Sequence, residues 1–257
     1  MINVLETLFW NLNAILAAVA GVRTLASKLA PAYPALVSFL LFQPARSALL
    51  MYYRPNDSVY AWAYVLTTPV LSLLQVWTGL EVYRHVFEAY SGLAVLGRRS
   101  LLLTASVGGL LAFGYAYAGS RVVGEPFPML RFVLLFDSVV AFIVLFFLVT
   151  LIGFMLWFPV PLKRNVVSYA FGLSAVLATV CTGVAMRVFA GAGASEIAAT
   201  VIMAVSTLTF GCWAATFGTS GEKVMPEGTL RRSPGDQERL LDQLKSLNAL
   251  AQSVKNS

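Results

Sequence analysis

Arg46, Asp137 and Glu6 are charged residues that the sequence embeds in long apolar runs, with the amides of Asn11, Asn13 and Gln43 close by. A guanidinium or carboxylate inside hydrocarbon costs several kcal/mol unless it meets a partner, so such residues mark an ion pair, a ligand site or an ion path. Counting along the runs puts Arg46 a few residues from the middle of its segment, with Asp137 on the same side of the middle and Glu6 and Asn13 at that level or shallower. The expected arrangement is an Arg46 pair with Asp137 or Glu6 in a polar cavity in the outer half of the protein. Pro44, between Gln43 and Arg46, kinks the backbone there and frees a carbonyl for neighbours to meet. The same residues also read as a fixed pair that does no more than specify helix packing.

A second group, Glu81, Arg84, His85 and Glu88, falls within two turns of helix. Glu81 stands three residues from Arg84 and four from His85, so local pairs on one helix face are expected. In spacing the group resembles the acidic–Arg motif at the inner end of the third helix in G-protein-coupled receptors. That resemblance implies a cytoplasmic switch formed by Glu81, Arg84 and His85. The plainer reading is an interfacial charge ladder.

Much chemistry is excluded. There is 1 histidine, so bis-histidine haem ligation, multi-histidine metal sites and zinc-dependent seven-helix hydrolases cannot be built, and no metal or other cofactor is expected. The lysines, at 28, 163, 223, 245 and 255, all lie away from the middle of a span, and Ser206 and Thr207 occupy the central turn of the last one, so a retinal Schiff base of the microbial-rhodopsin type has no lysine. No phosphate loop, nucleophile elbow or dinucleotide fingerprint is present. A paired-aspartate protease would need a second intramembrane aspartate beside Asp137. The expectation is a protein that is not an enzyme. Cys181 and Cys212 sit at different depths and read as packing residues rather than a disulfide.

The elements that position these residues follow from composition. The chain of 257 residues is 58% hydrophobic and 12% charged, against about 25% charged in a soluble domain, so its solvent must be lipid. Seven runs are long enough to cross a hydrocarbon core of about 30 Å as helices: 4–22, 34–53, 59–82, 101–119, 130–158, 166–190 and 196–217. The predicted fold is therefore all-α, a bundle of seven transmembrane helices over 1–217. An alternating β-barrel pattern is missing. Glu6, rather than a basic stretch, precedes the first run, so that helix is expected to stay uncleaved.

Of 18 basic residues, thirteen fall on the side that would be cytoplasmic if the N-terminus is outside: Arg23, Lys28, Arg84, Arg98, Arg99, Lys163, Arg164 and those of the tail. Arg46, Arg54, Arg121, Arg131 and Arg187 fall on the other. The asymmetry predicts N-out and C-in. It also assigns the net charge of +6 to topology and anionic lipid, with no nucleic-acid partner. Trp157 at the inner interface, and Tyr60, Trp62 and Tyr64 at the outer, fit aromatic belts. Pro69, after Thr67 and Thr68, predicts a kink in the third run with Gln75 below it, and Ala105, Gly108, Gly109 and Ala112 give the fourth run a small-residue face for close packing. The inner half looks dry apart from Gln75 and Glu81.

A linker is expected over 218–232 and an amphipathic helix over 233–257. Ser233 serves as N-cap, Pro234 as the first helical residue, and Asp236 stands three beyond the cap. Leu240, Leu244, Leu247, Ala251 and Val254 form one apolar seam. Its partner is the membrane surface, the bundle itself, a cytoplasmic protein, or a second copy through 233–254.

The run Tyr33-Pro34, Arg46, Tyr60 to Tyr64, Thr68-Pro69, Glu81-Val82-Tyr83 and Tyr90-Ser91-Gly92-Leu93 resembles uncharacterised seven-helix membrane proteins of environmental bacteria, and the bundle is similar in outline to the seven-helix input modules of bacterial sensors. These resemblances imply a fold and carry no residue role. The expected function is a sensory or receptor-like module of the cell (inner) membrane that signals through a cytoplasmic partner. The alternatives are a structural or accessory subunit of a homo-oligomeric or larger membrane assembly, and a small-solute transporter.

Overall fold

The computed structural model describes residues 2–53, 57–88, 106, 109–110, 128–157, 162–190, 192–223, 242 and 246. Six long helices account for most of them: α1 (Ile2–Ala26), α2 (Pro34–Tyr53), α3 (Asp57–Val86), α4 (Pro128–Trp157), α5 (Arg164–Ala190) and α6 (Ala192–Thr216), followed by a 3₁₀ turn, Thr219–Glu222. All six contain stretches long and apolar enough to cross a membrane. Helices are the form such stretches take in lipid because each backbone N–H and C=O is then satisfied within its own segment.

Local sequence sets the ends. The α1 helix stops in a Schellman turn, with Lys28 N–H bonded to Leu25 O at 2.9 Å and Leu29 N–H to Thr24 O at 3.1 Å. This turn puts Lys28 in the left-handed region at φ 56°, where glycine is the usual occupant. Pro34 opens α2 at the position where a missing N–H costs nothing. Pro69 interrupts the ladder inside α3, and the hydroxyls beside it turn back on the helix, Thr67 to Ala63 O at 2.7 Å and Thr68 to Tyr64 O at 2.8 Å.

The helices pack as a ring in chain order, α6 closing on α1, while α3 also reaches across to α5. Two neighbouring pairs run parallel. Along α3 and α4 the contacts advance together: Ser72 with Asp137, Tyr83 with Phe147, Phe87 with Phe154. Along α1 and α6, Gly211 faces Leu16 and Arg23 reaches Ala214. As a result α1, α3, α4 and α6 finish at one end of the bundle, here the tail end, where α2 and α5 begin.

The bundle has an apolar core that includes Phe39, Leu148, Leu177 and Phe210, but its outward faces are apolar as well. On α3 one face carries Thr68, Ser72, Gln75, Thr78 and Glu81, all buried, and the opposite face carries Trp62, Leu66, Val70, Leu73, Trp77 and Leu80, all exposed. Leu66 is 67% exposed and Leu73 66%. Leu208 and Phe132 stand equally bare on α6 and α4. Apolar surface on that scale is untenable in water and ordinary in lipid, so the chain reads as a multi-pass membrane protein. Trp62 and Trp157 are exposed at the two ends of the bundle, as belt residues should be, but Tyr64 is not one of them: it turns inward, beneath the Arg46 guanidinium.

The expected span 101–119 lies outside the described residues except for Ser106, Gly109 and Leu110. The expected tail helix does too except for Asp242 and Ser246, both helical and exposed. Its seam residues Leu240, Leu244, Leu247 and Val254 are therefore not described.

Candidate functional site

Two polar clusters sit inside the bundle, and α3 contributes to both. The first is near mid-height. Arg46, from the turn after Pro44 in α2, donates through Nε to Thr67 Oγ1 at 3.2 Å and through Nη2 to Thr68 Oγ1 at 3.1 Å, and its guanidinium carbon lies 4.9 Å from the centre of the Tyr64 ring. Asp137, on α4, accepts from Ser72 Oγ at 2.6 Å. The direct Arg46–Asp137 pair expected from depth is thus replaced by an arrangement in which each charge is held by hydroxyls of α3, one turn apart, and the two remain in electrostatic reach of one another. Depth along a helix says nothing about direction around it, and the α3 hydroxyls stand between the two charges. Gln43 is half-buried on α2, and Asn13 is half-buried on α1, whose neighbours are α2 and α6. The Glu6 side chain lies outside the described residues.

The second cluster closes the tail end. Glu81 is buried, and its carboxylate accepts the Ala35 N–H at 2.8 Å, the Leu36 N–H at 3.1 Å and the Tyr169 hydroxyl at 3.1 Å. The two amides belong to the first turn of α2, which has no intrahelical acceptor for them, so Glu81 acts as a cap supplied from another helix. The local Glu81–Arg84 and Glu81–His85 pairs predicted from spacing give way to these bonds, because a buried carboxylate gains more from two free amides than from a partner at the solvent edge. Arg84 is exposed. His85 Nε2 lies 2.8 Å from Ala32 O, which can only accept, so that nitrogen carries the proton, while Nδ1 faces Glu88 at 3.7 Å.

Beside Glu81 lies a ring of contacts that sequence spacing did not reveal. Tyr33, fully buried, donates to Glu222 Oε1 at 2.7 Å, and Asn165 Nδ2 reaches the same oxygen at 2.7 Å and Gly218 O at 3.0 Å. Lys163 Nζ meets Glu222 Oε2 at 3.2 Å. Burial works against the Glu222 charge, yet the bonds from Tyr33, Asn165 and Lys163 hold its carboxyl below the ordinary range. Burial, and then the bond to Glu222, push the Tyr33 phenol up. The 3₁₀ turn needs Gly221, since a Cβ there would fall 2.0 Å from Asn165 Oδ1. Tyr33, Tyr169, Trp213 and Phe217 surround the ring with edge-on aromatic contacts, and Trp213 reaches the Ser168 carbonyl at 3.1 Å because Gly172 leaves room for its indole.

The partners in this ring stand far apart in sequence, and nothing at helical spacing links them. Asn165, beside Lys163-Arg164 at the start of an apolar run, is the kind of residue that often opens a helix, so its type and place gave no pointer to Gly218 and Glu222. Among the described residues no His, Cys, Asp or Glu group could hold a metal ion, and Cys181 and Cys212 are not joined in a disulfide. No family model, no curated protein and no solved structure matches this chain.

Proposed function

We propose that the protein is a seven-span sensory module of the cell membrane, with its N-terminus outside and its tail end in the cytoplasm, which relays a change at the Arg46–Asp137 cluster to the chain leaving α6. A seventh crossing is favoured by the parallel run of α3 and α4. The chain leaves α3 at the tail end and enters α4 at the other, which supports a further crossing of a bundle that α3 spans in about 45 Å. Gly109 lies beside Ile143, in the middle of α4, as a returning span would. The orientation rests on Arg23, Lys28, Arg84, Lys163, Arg164 and Lys223, all at the tail end, against Arg46, Arg131 and Arg187 in the other half.

The observation that carries the relay is the double engagement of α3. Through Thr67, Thr68 and Ser72 it holds both mid-height charges, and through Glu81 it holds the start of α2 and Tyr169, next to the Tyr33–Glu222 ring. A rotation or shift of α3 that re-pairs its hydroxyls would be felt where Glu222 fixes the exit of the chain. Small displacements of packed helices are the usual currency of such relays.

The test is a spin label at the exposed Ser220, read in nanodiscs. Label mobility should change in Arg46→Met and in Asp137→Asn, without change in a control such as Leu208→Ala on the lipid face. Identical spectra in folded Arg46→Met, Asp137→Asn and wild type would end the proposal.

A further inference from the structure

Among the described side chains, Asn11 of α1 is the one amide exposed within a span. Asn13 and Gln43 are half-buried, and Gln75 and Asn165 are buried. The exposed hydroxyls of Thr150 and Thr182 are spent on their own helices, at Phe146 O (2.9 Å) and Ala178 O (2.8 Å). Asn11 donates one N–H to Thr7 O at 3.0 Å, which leaves its second N–H and its carbonyl oxygen without a partner among the described residues.

Neighbouring helices fix its depth. Leu16 faces Gly211 of the parallel α6, so Asn11 stands level with Ser206, near the middle of that helix. Gly21 faces Leu40 and Leu41 of the antiparallel α2, which sets Asn11 level with Leu50, about 10 Å outward of the middle of α2. Either register keeps the amide within a hydrocarbon core that extends about 15 Å from its centre. Lipid offers such a group no hydrogen bond, and polar side chains in membrane helices commonly find one on another helix.

The residues around Asn11 are arranged for a helix. Leu8, Asn11, Ile15, Ala18, Val22 and Leu25 follow one another at three and four residues along one face of α1, and Leu8, Ile15 and Val22 are 58%, 58% and 59% exposed. Ala17, Ala20 and Thr24 are buried on the opposite side, while Gly21 and Leu16 take the flanks against α2 and α6. The outer face of α3, from Trp62 to Leu80, repeats at similar spacing but is apolar throughout. Lipid alone satisfies that face; it does not satisfy the face of α1.

We infer that α1 pairs with α1 of a second copy of this chain, in a parallel dimer whose seam runs from Leu8 to Leu25 and whose polar contact is Asn11 with Asn11. An amide both donates and accepts, so its complement is another amide. Copies of one chain enter the membrane the same way up, and a two-fold axis along the membrane normal brings α1 to α1 in parallel at equal depth. Each layer of the seam then meets itself, which supplies the second amide at the required level without any further protein. A period of 3.5 residues suits a left-handed pair, and a single polar residue within such a seam fixes its register. Because α1 carries neither polar cluster, the contact holds whether or not the protein signals through its tail.

The full chain, carrying one dye at Ser220→Cys in a Cys181→Ala, Cys212→Ala background, is reconstituted into liposomes over a range of lipid dilution, and bleaching steps per particle are counted. Two-step particles should dominate at dilutions where chance co-capture is rare. Asn11→Leu should move the dimer–monomer midpoint about tenfold toward lower dilution, the scale of a polar contact between helices in a bilayer. Asn11→Gln, which keeps donor and acceptor, should stay near the wild type. If Asn11→Leu does not fold, crosslinking keeps the test open: in the same background without the dye site, Ile15→Cys oxidised with copper phenanthroline should give a disulfide-linked dimer, and Leu208→Cys on the lipid face of α6 should not. Single-step particles at every dilution overturn the inference and leave the face to lipid or to a different protein. A dimer that Asn11→Leu leaves intact, that needs residues 233–257, or that crosslinks through Leu208→Cys and not Ile15→Cys, overturns it too.

Discussion

Removing the Glu81 carboxylate should unfasten the start of α2, and the size of the effect can be worked from its three bonds. In Glu81→Ala the Ala35 and Leu36 amides and the Tyr169 hydroxyl lose their acceptor in a buried place. Each unmet group costs about 1–3 kcal/mol, and partial relaxation of the turn before Pro34 returns some of it, so the expected loss is about 4 kcal/mol. Glu81→Gln keeps one acceptor oxygen but turns an NH₂ toward the second donor, for an expected loss of about 2 kcal/mol. Unfolding can be followed by tryptophan emission in mixed micelles, because buried Trp213 stands 5.9 Å from the Tyr169 ring. Hydrogen exchange should rise first at the amides of Ala35 and Leu36. The reasoning fails if both variants stay within about 0.5 kcal/mol of the wild type, the ordinary range of a surface change. It fails equally if exchange at those two amides is unaltered.

Three further outcomes are expected. The folded Glu222 carboxyl titrates below its free value of 4.5, so its contribution is complete above that pH and disappears as pH falls through the lower folded value. A spin label at Ser220 should therefore gain mobility in acid, and Glu222→Gln should flatten that part of the profile. Gly221→Ala drives a methyl into Asn165 and should cost about 1–3 kcal/mol, with a double-mutant cycle against Asn165→Ala giving a loss smaller than the sum. Lys28→Gly relieves the left-handed backbone that closes α1 and should raise stability by about 1 kcal/mol in thermal unfolding.

How much of this was legible in the sequence differs by level. The run 34–53 matches α2 at both ends because Pro34 suits the first position of a helix and polar residues follow Tyr53. The ends of α1, α3 and α5 extend a few residues past the predicted runs, since helices continue through interfacial residues such as Asp57-Ser58 and Arg84-His85 that hydropathy leaves out. The importance of Arg46, Asp137 and Glu81 followed from their cost in lipid, which needs no partner to compute. Their partners did not follow, because an apolar run gives the depth of a residue and hides its azimuth. The buried stripe Thr68, Ser72, Gln75, Thr78, Glu81 was readable at helical spacing, yet three of its members, Thr68, Ser72 and Thr78, are of the kind common in apolar helices as residues bonded to their own backbone and so pass for neutral. Tyr33, Asn165 and Glu222 come together only when the ring of helices closes.

Those self-bonded hydroxyls explain why the mid-height charges sit where they do. Lipid offers little drive to press helices together, so contacts between polar groups and close packing must hold the interior. Thr67 and Thr68 send their protons to carbonyls of their own helix, which leaves their oxygens as acceptors, and it is to these oxygens that Arg46 donates. Ser72 is different. It has one proton and two acceptors within reach, Thr68 O at 3.1 Å and Asp137 Oδ1 at 2.6 Å, and an ionised carboxylate is the stronger of the two. Were Asp137 to take a proton, it would become a donor toward Ser72, and the Ser72 proton would return to the Thr68 carbonyl. That carbonyl stands one residue from Pro69, where the helix ladder is already broken. The charge on Asp137 is thereby coupled to the most deformable turn of α3, and this coupling gives a buried carboxylate a means to move a helix.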